Sequence, residues 1–187
     1  GIRAALEAGL APVKVNAVIQ RGVNDGQALD LARHFRGSTV VVRFIEYMDV
    51  GNRNDWNPEL VVSSRELRDA IANAHPLKPV AGAYRGEVAE RYVYQDGAGE
   101  IGFISSVSQP FCGDCTRARL SSDGAFYTCL FATRGTDLRT PLRAGASDEE
   151  LLQLIRSTWR RREDRYSELR RLPVGKVNPR KIEMYYI

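Results

Sequence analysis

Histidine, cysteine and lysine are all scarce in this 187-residue chain, and each scarcity excludes something. With only 2 histidines, His34 and His75, a histidine-built metal centre has little to draw on. The cysteine count is 3, all within residues 112–129, which argues against a disulfide framework and for a metal site in a reducing, cytoplasmic compartment. No apolar run approaches the roughly 20 residues that span a bilayer, so a membrane protein is not expected. Lys14, Lys78, Lys176 and Lys181 are the only lysines, so the net charge of +4 rests on arginine, whose planar fork suits phosphate and carboxylate. Most of those arginines, including the Arg160-Arg161-Arg162 run, read as ordinary basic surface; only arginines tied to a motif count. Repeats and low-complexity tracts are absent. The first residues, Gly1 to Glu7, lack a charged-then-apolar leader pattern and read as helix already in progress, as in a chain cut from a longer one.

What is present is ordinary globular material, 43% hydrophobic and 27% charged. Residues 13–19 alternate as a strand should, Gly22-Val23-Asn24-Asp25-Gly26 opens a helix over residues 27–35, and residues 39–48 form a β-branched run that carries Arg43. Helix, strand, helix, strand is the rhythm of a parallel α/β sheet or barrel, whose chemistry gathers in the loops after the strands, here Met48-Asp49-Val50-Gly51-Asn52. Ser63-x-x-Glu66 is a capping-box pattern leading into a helix with Leu67, Ala70, Ile71 and Ala74 on one face. The rhythm then changes to strand-like pieces at residues 91–94 and 101–107 with an Asp96-Gly97 turn, and a last helix starts at Ser147-x-x-Glu150 with Leu151, Leu152, Ile155 and Trp159 as its apolar face. The organisational boundary is expected near residues 55–62.

The densest chemistry lies in Phe111-Cys112-Gly113-Asp114-Cys115-Thr116-Arg117-Ala118-Arg119-Leu120, followed by Ser121-Ser122-Asp123-Gly124 and then by Cys129. Two cysteines separated by two residues can point at one centre, with Gly113 expected to permit the bend. Asp123-Gly124 supplies a turn between strands at residues 117–120 and 125–130. A three-residue loop places Ser121 opposite Ala125 and Arg117 opposite Cys129, so that Arg117, Arg119 and Cys129 share a face; a two-residue loop would send both arginines to the other face. Three thiolates leave a structural zinc site one ligand short unless His75 or Asp114 closes it. They leave a [4Fe–4S] cluster with one open iron, and three unligated buried thiols are the remaining alternative.

Residues 109–131 closely resemble the C-terminal signature of the GTP 3′,8-cyclase family, radical SAM enzymes that open molybdenum cofactor biosynthesis. Val13-Lys14-Val15-Asn16 with Gly22-Val23-Asn24, Arg43-Phe44-Ile45-Glu46-Tyr47-Met48, Gly102-Phe103-Ile104, residues 138–145 and Met184-Tyr185-Tyr186-Ile187 resemble it in the same order. The resemblance implies the C-terminal part of an incomplete (βα)6 TIM-like radical SAM barrel over residues 1–58, then an α+β region over residues 59–187 carrying an auxiliary cluster. It implies that Cys112, Cys115 and Cys129 bind this second [4Fe–4S] cluster, whose open iron receives the guanine of GTP. It further implies GTP contacts at Lys14, Arg117, Ala118 and Arg119, an S-adenosyl-L-methionine contact at Met48, and Arg43 near the same site. The implied reaction converts GTP to (8S)-3′,8-cyclo-7,8-dihydroguanosine 5′-triphosphate, after a 5′-deoxyadenosyl radical removes the 3′ hydrogen.

Two features depart from the family. The C-x₃-C-x₂-C motif for the S-adenosylmethionine-cleaving cluster is absent, so that cluster and the rest of the barrel are expected on an N-terminal half, without which these residues should not turn over GTP. The Gly-Gly that usually follows the position of Ile187 is absent too. The expected partners are GTP, S-adenosyl-L-methionine and that half, with a homodimer left open and neither nucleic acid nor membrane expected. Blander readings stand beside these: Lys14 snorkelling from a strand end, Met48 in a core, Arg43 paired with Glu46 or another acid, Asp114 in a turn, and both histidines as surface or satisfied core. Other function classes are a radical SAM relative acting on another substrate, such as a peptide, and a zinc-hairpin module binding nucleic acid.

Overall fold

The computed structural model describes residues 1–50 and 56–170. In chain order the elements are α1 (Ile2–Glu7), β1 (Lys14–Ile19), α2 (Ala28–Phe35), β2 (Val41–Glu46), α3 (Ser64–Ala74), β3 (Leu77–Val80), β4 (Glu90–Tyr94) and β5 (Glu100–Ile104). After them come β6 (Arg119–Leu120), β7 (Ala125–Tyr127), β8 (Thr136–Asp137), α4 (Arg139–Arg143), α5 (Asp148–Arg160) and α6 (Tyr166–Leu169). The fold is mixed α/β. Among the described residues no helix is long and apolar enough to cross a membrane.

The first compact unit comprises Gly1–Met48 and Trp56–Phe111. Its sheet has the order β1-β2-β5-β4-β3, with β1, β2 and β5 parallel and β4 and β3 antiparallel. Period-two alternation sorts the strands into two faces. Ile19, Val42, Phe44, Ile101 and Phe103 join Ala28, Ala32, Leu67 and Ile71 of the helices in one core. On the opposite face Lys14 and Asn16 are exposed and Val18 is 47% exposed, an open surface on strands that parallel sheets usually cover on both sides.

The sheet runs through the expected boundary at residues 55–62, since β1 and β2 precede it and β3, β4 and β5 follow it. β3 escapes sequence reading because Pro79 lies within it; it is an edge strand, where a missing N–H is tolerated. The capping box at α3 is half formed. Ser63 accepts the Glu66 N–H at 3.2 Å, but the Glu66 carboxylate pairs with Arg21 at 2.8 Å instead of reaching back. Of the expected α3 face, Leu67 and Ile71 are buried whereas Ala70 and Ala74 are exposed. The box at α5 is complete, Ser147 and Glu150 satisfying each other's backbone N–H.

The second unit comprises Asp49–Asp55 and Cys112–Ile187. Its described part holds a three-stranded sheet in the order β6-β7-β8, with α5 and α6. Gly51 and Asn52 of the expected loop, and the Met184-Tyr185-Tyr186-Ile187 segment, lie outside the described residues.

Candidate functional site

The cysteine hairpin has the three-residue-loop register. Arg119 faces Tyr127, Leu120 faces Phe126, and the Ser121 N–H donates to the Ala125 carbonyl at 2.9 Å. Gly124 has φ +84°, and a Cβ there would lie 2.7 Å from the Arg139 Cβ, so glycine is required both for conformation and for space. Ser121 closes the loop: its hydroxyl donates to Asp123 and accepts the Ala125 N–H at 3.0 Å. The ladder is shorter than the sequence suggests. It stops at Tyr127 because Cys129 enters a turn, where the Ala132 N–H donates to its carbonyl at 3.3 Å and the Phe131 N–H approaches its sulfur at 3.4 Å. Gly113 sits in a short 3₁₀ turn, Cys112–Asp114, without a positive φ and with open space around it, so the expected need for glycine there is not met.

All three thiols are half-buried and none is in a disulfide. Burial pushes the Cys129 thiol up, the Phe131 N–H opposes this, and Asp164, Cys112 and Cys115 push it further up; the last two show the three thiols within electrostatic reach of one another. Burial also raises Cys115, but hydrogen bonds from the Arg117 N–H and guanidinium, with the charges of Arg117 and Arg162, outweigh it and hold this thiol below its usual range. Arg119 is lowered by burial first and then by its neighbour Arg117, while Cys129 and Cys115 oppose the shift. The site is thus a group of thiols with two cations on their side of the hairpin.

This environment favours the thiolate at Cys115 and opposes it at Cys129, and three half-buried thiols of this kind form a donor set that fits an iron–sulfur cluster. Among the described residues no three His, Cys, Asp or Glu side chains are close enough to share a single ion. A cluster binds each thiolate at a different iron and spreads them wider. His75 instead packs edge-on to Tyr94, with ring centroids 6.2 Å apart.

The remaining expected residues lie in the first unit. Lys14, at the start of β1, and Arg43, in β2, point to the same open sheet face, where Asn16 is the direct neighbour of Arg43. Arg43 donates from Nε to the Asn16 side-chain oxygen at 2.8 Å. Gly102 stands opposite Arg43 on the next strand, and a Cβ there would lie 3.2 Å from the Arg43 Cγ, so the glycine makes room for the arginine stem. Lys14 lies within electrostatic reach of Glu100, which itself pairs with Arg91 at 2.7 Å. Met48 is half-buried in the segment after β2, and Ala118 is exposed between the two arginines.

The expected alternative of an Arg43–Glu46 pair is not formed, because residues three apart on a strand face opposite ways. Glu46, 1% exposed, instead accepts the N–H groups of Ser64 at 2.8 Å and of Val107 and Ser108 at 2.7 Å, plus the Ser108 hydroxyl at 2.5 Å. It anchors the chain after β5 to the end of β2. Sequence reasoning named this residue only as a partner for Arg43 and missed its role, although alternation from Val42 and Phe44 places a carboxylate on the core face, which was a readable signal. A second missed group is Asp49, which accepts from the Tyr166 hydroxyl at 2.5 Å and pairs with Arg170 at 2.7 Å, while Tyr166 stacks on Phe131 with centroids 4.4 Å apart.

Residues 40–168 match the family model described as Molybdenum Cofactor Synthesis C. The whole chain is 51% identical over 187 residues to a protein named GTP 3′,8-cyclase from Xanthomonas campestris pv. campestris, of which it covers 54%. Proteins of the same name from Acidothermus cellulolyticus and a Synechococcus species are 52% identical over 176 residues (92% of this chain, 49% of theirs) and 51% identical over 174 residues (91% and 49%). The chain therefore spans about half the length of the curated relatives it matches. With a family model covering most of the residues that build both units, the chain belongs to the Molybdenum Cofactor Synthesis C family.

Proposed function

We propose that this chain forms the C-terminal portion of a GTP 3′,8-cyclase, converting GTP to (8S)-3′,8-cyclo-7,8-dihydroguanosine 5′-triphosphate in the first step of molybdenum cofactor biosynthesis. The observation that carries the reading is the gathering of Arg117 and Arg119 within electrostatic reach of the Cys115 and Cys129 thiols in a chain of this family. Cys112, Cys115 and Cys129 hold a [4Fe–4S] cluster. When bound, it supplies an iron without a protein thiolate, open to the guanine base. Arg117 and Arg119, with the Ala118 backbone between them, orient the nucleotide beside it, and Lys14 takes the phosphates through a charge-assisted contact. Fixing both ends of GTP holds the ribose in one place, which is the protein's main task when a cofactor supplies the radical.

Residues 1–58 contribute the last βα units of an incomplete (βα)6 barrel, whose inner face is the open one carrying Lys14, Asn16 and Arg43. Residues 59–187 form the C-terminal region. Met48 lines the S-adenosyl-L-methionine site, with Arg43 near it. The cluster that cleaves S-adenosyl-L-methionine needs cysteines beyond the 3 present, so it resides on the N-terminal half, and these 187 residues alone are inactive in the cytoplasm where the enzyme works. No observation favours a different substrate.

Anaerobic reconstitution of the chain with iron and sulfide, followed by equilibrium GTP binding, tests this reading. About four irons per chain and GTP binding that is lost in Arg117→Ala and Arg119→Ala are expected. Stoichiometric zinc with no iron uptake, or GTP affinity indifferent to both arginines, overturns it.

A further inference from the structure

The Arg160-Arg161-Arg162 run looks uniform in sequence, yet its third member is unlike the others. α5 ends at Arg160, and the chain then passes the cysteine hairpin. Arg162 folds its guanidinium over the Trp159 ring, 4.1 Å from the centroid, and donates to the backbone carbonyl of Cys115. Two residues later Asp164 accepts from the hydroxyl of Thr128, the neighbour of Cys129. One three-residue stretch therefore grips both limbs of the hairpin, a cation on the Cys115 limb and an anion on the Cys129 limb. Both charges reach the sulfurs: Arg162 acts on the Cys115 thiol, and Asp164 acts on that of Cys129.

We propose that Arg162 and Asp164 form a clasp that sets the spacing of the Cys115 and Cys129 limbs and tunes the centre they hold. Both are positioning residues, and the inference rests on the reading that the cysteines bind an iron–sulfur cluster. Partners just outside the ligand set orient ligands and shift the properties of the centre. For a cluster, nearby net charge and hydrogen bonding set the reduction potential, a cation favouring the reduced state and an anion opposing it.

The test is anaerobic reconstitution of the 187-residue chain and its Arg162→Met, Arg162→Lys and Asp164→Asn variants, with iron content, electron paramagnetic resonance of the reduced centre, and redox titration as readouts. Arg162→Met is expected to shift the midpoint to lower potential and to alter the resonance signature. Arg162→Lys should recover most of the midpoint because it retains the charge. Asp164→Asn, which keeps an acceptor for Thr128, should shift the midpoint to higher potential. If Arg162→Met fails to fold, Arg162→Gln, which also removes the charge but keeps a donor for the Cys115 carbonyl, supplies the downward shift opposed to that of Asp164→Asn. A wild-type chain that takes up no iron overturns the cluster reading itself. A wild-type chain that loads normally, with Arg162→Met and Asp164→Asn variants that share its midpoint and signature or shift in one common direction, overturns the clasp alone.

Discussion

Glu46 is the most informative residue to perturb in the first unit. It is 1% exposed and its two carboxylate oxygens receive three backbone N–H groups and one hydroxyl. Glu46→Ala would take the carboxylate acceptor away from the N–H groups of Ser64, Val107 and Ser108 in a largely buried site, each at a cost of roughly 1–3 kcal/mol. Water entering the cavity would recover part of that, so the expected net loss is about 3–5 kcal/mol, a large share of a typical domain's stability. Glu46→Gln keeps one acceptor oxygen but turns an NH₂ group toward donors, and about 2–3 kcal/mol should be lost. Urea unfolding followed by fluorescence at pH 7 measures both. The reasoning is refuted if Glu46→Ala costs less than about 1 kcal/mol, or if the glutamine variant is the less stable of the two. Because Glu46 ties residues 107–108 to the end of β2, the glutamine variant should also lose protection from hydrogen exchange at Val107 and Ser108 before the rest of the sheet does.

Two further perturbations follow from charged groups elsewhere. Tyr166→Phe removes one hydrogen bond to the buried Asp49 and should cost about 1.5–3 kcal/mol, whereas Asp49→Ala leaves Arg170, 6% exposed, without its carboxylate and should cost roughly 3–5 kcal/mol; a double-mutant cycle showing no coupling between Asp49 and Arg170 would contradict the ion pair. The Glu100 carboxyl is held below its usual range, first by the hydrogen bond from Arg91, against the upward pull of burial and with help from the charges of Arg91 and Lys14. A group with a depressed folded pKa adds stability above its unfolded value of about 4.3 and loses it as pH falls through the folded value. The gap between wild type and Glu100→Gln, about 1 kcal/mol at pH 7, should therefore close on acidification below about pH 4; a gap that is constant or that widens would show the pair contributes nothing.

Sequence reading reached β1, β2 and the hairpin register because local rules decide them: alternation for the strands, and a glycine with positive φ for the loop. It misjudged whatever depends on distant partners. Pro79 disguised β3, whose place at the sheet edge is a property of the whole topology. Glu66 was expected to complete a cap but found Arg21, 45 residues away, a better partner than its own helix end. The blander alternative for Arg43, a pair with Glu46, gives way to a bond to Asn16 across the sheet. Arg162 and Asp164 could not be told from surrounding charged surface, since what sets them apart is where α5 ends relative to the two cysteine limbs. The closeness of the three cysteines and two arginines could be read because their spacing lies within one hairpin.

The most direct measurement of the central claim is GTP binding to the anaerobically reconstituted chain, compared between wild type and a Cys129→Ala variant alongside iron content. The account predicts about four irons and measurable GTP affinity in wild type, with both falling together when Cys129 is removed. GTP affinity that survives the loss of iron unchanged, or full iron loading without Cys129, would contradict it.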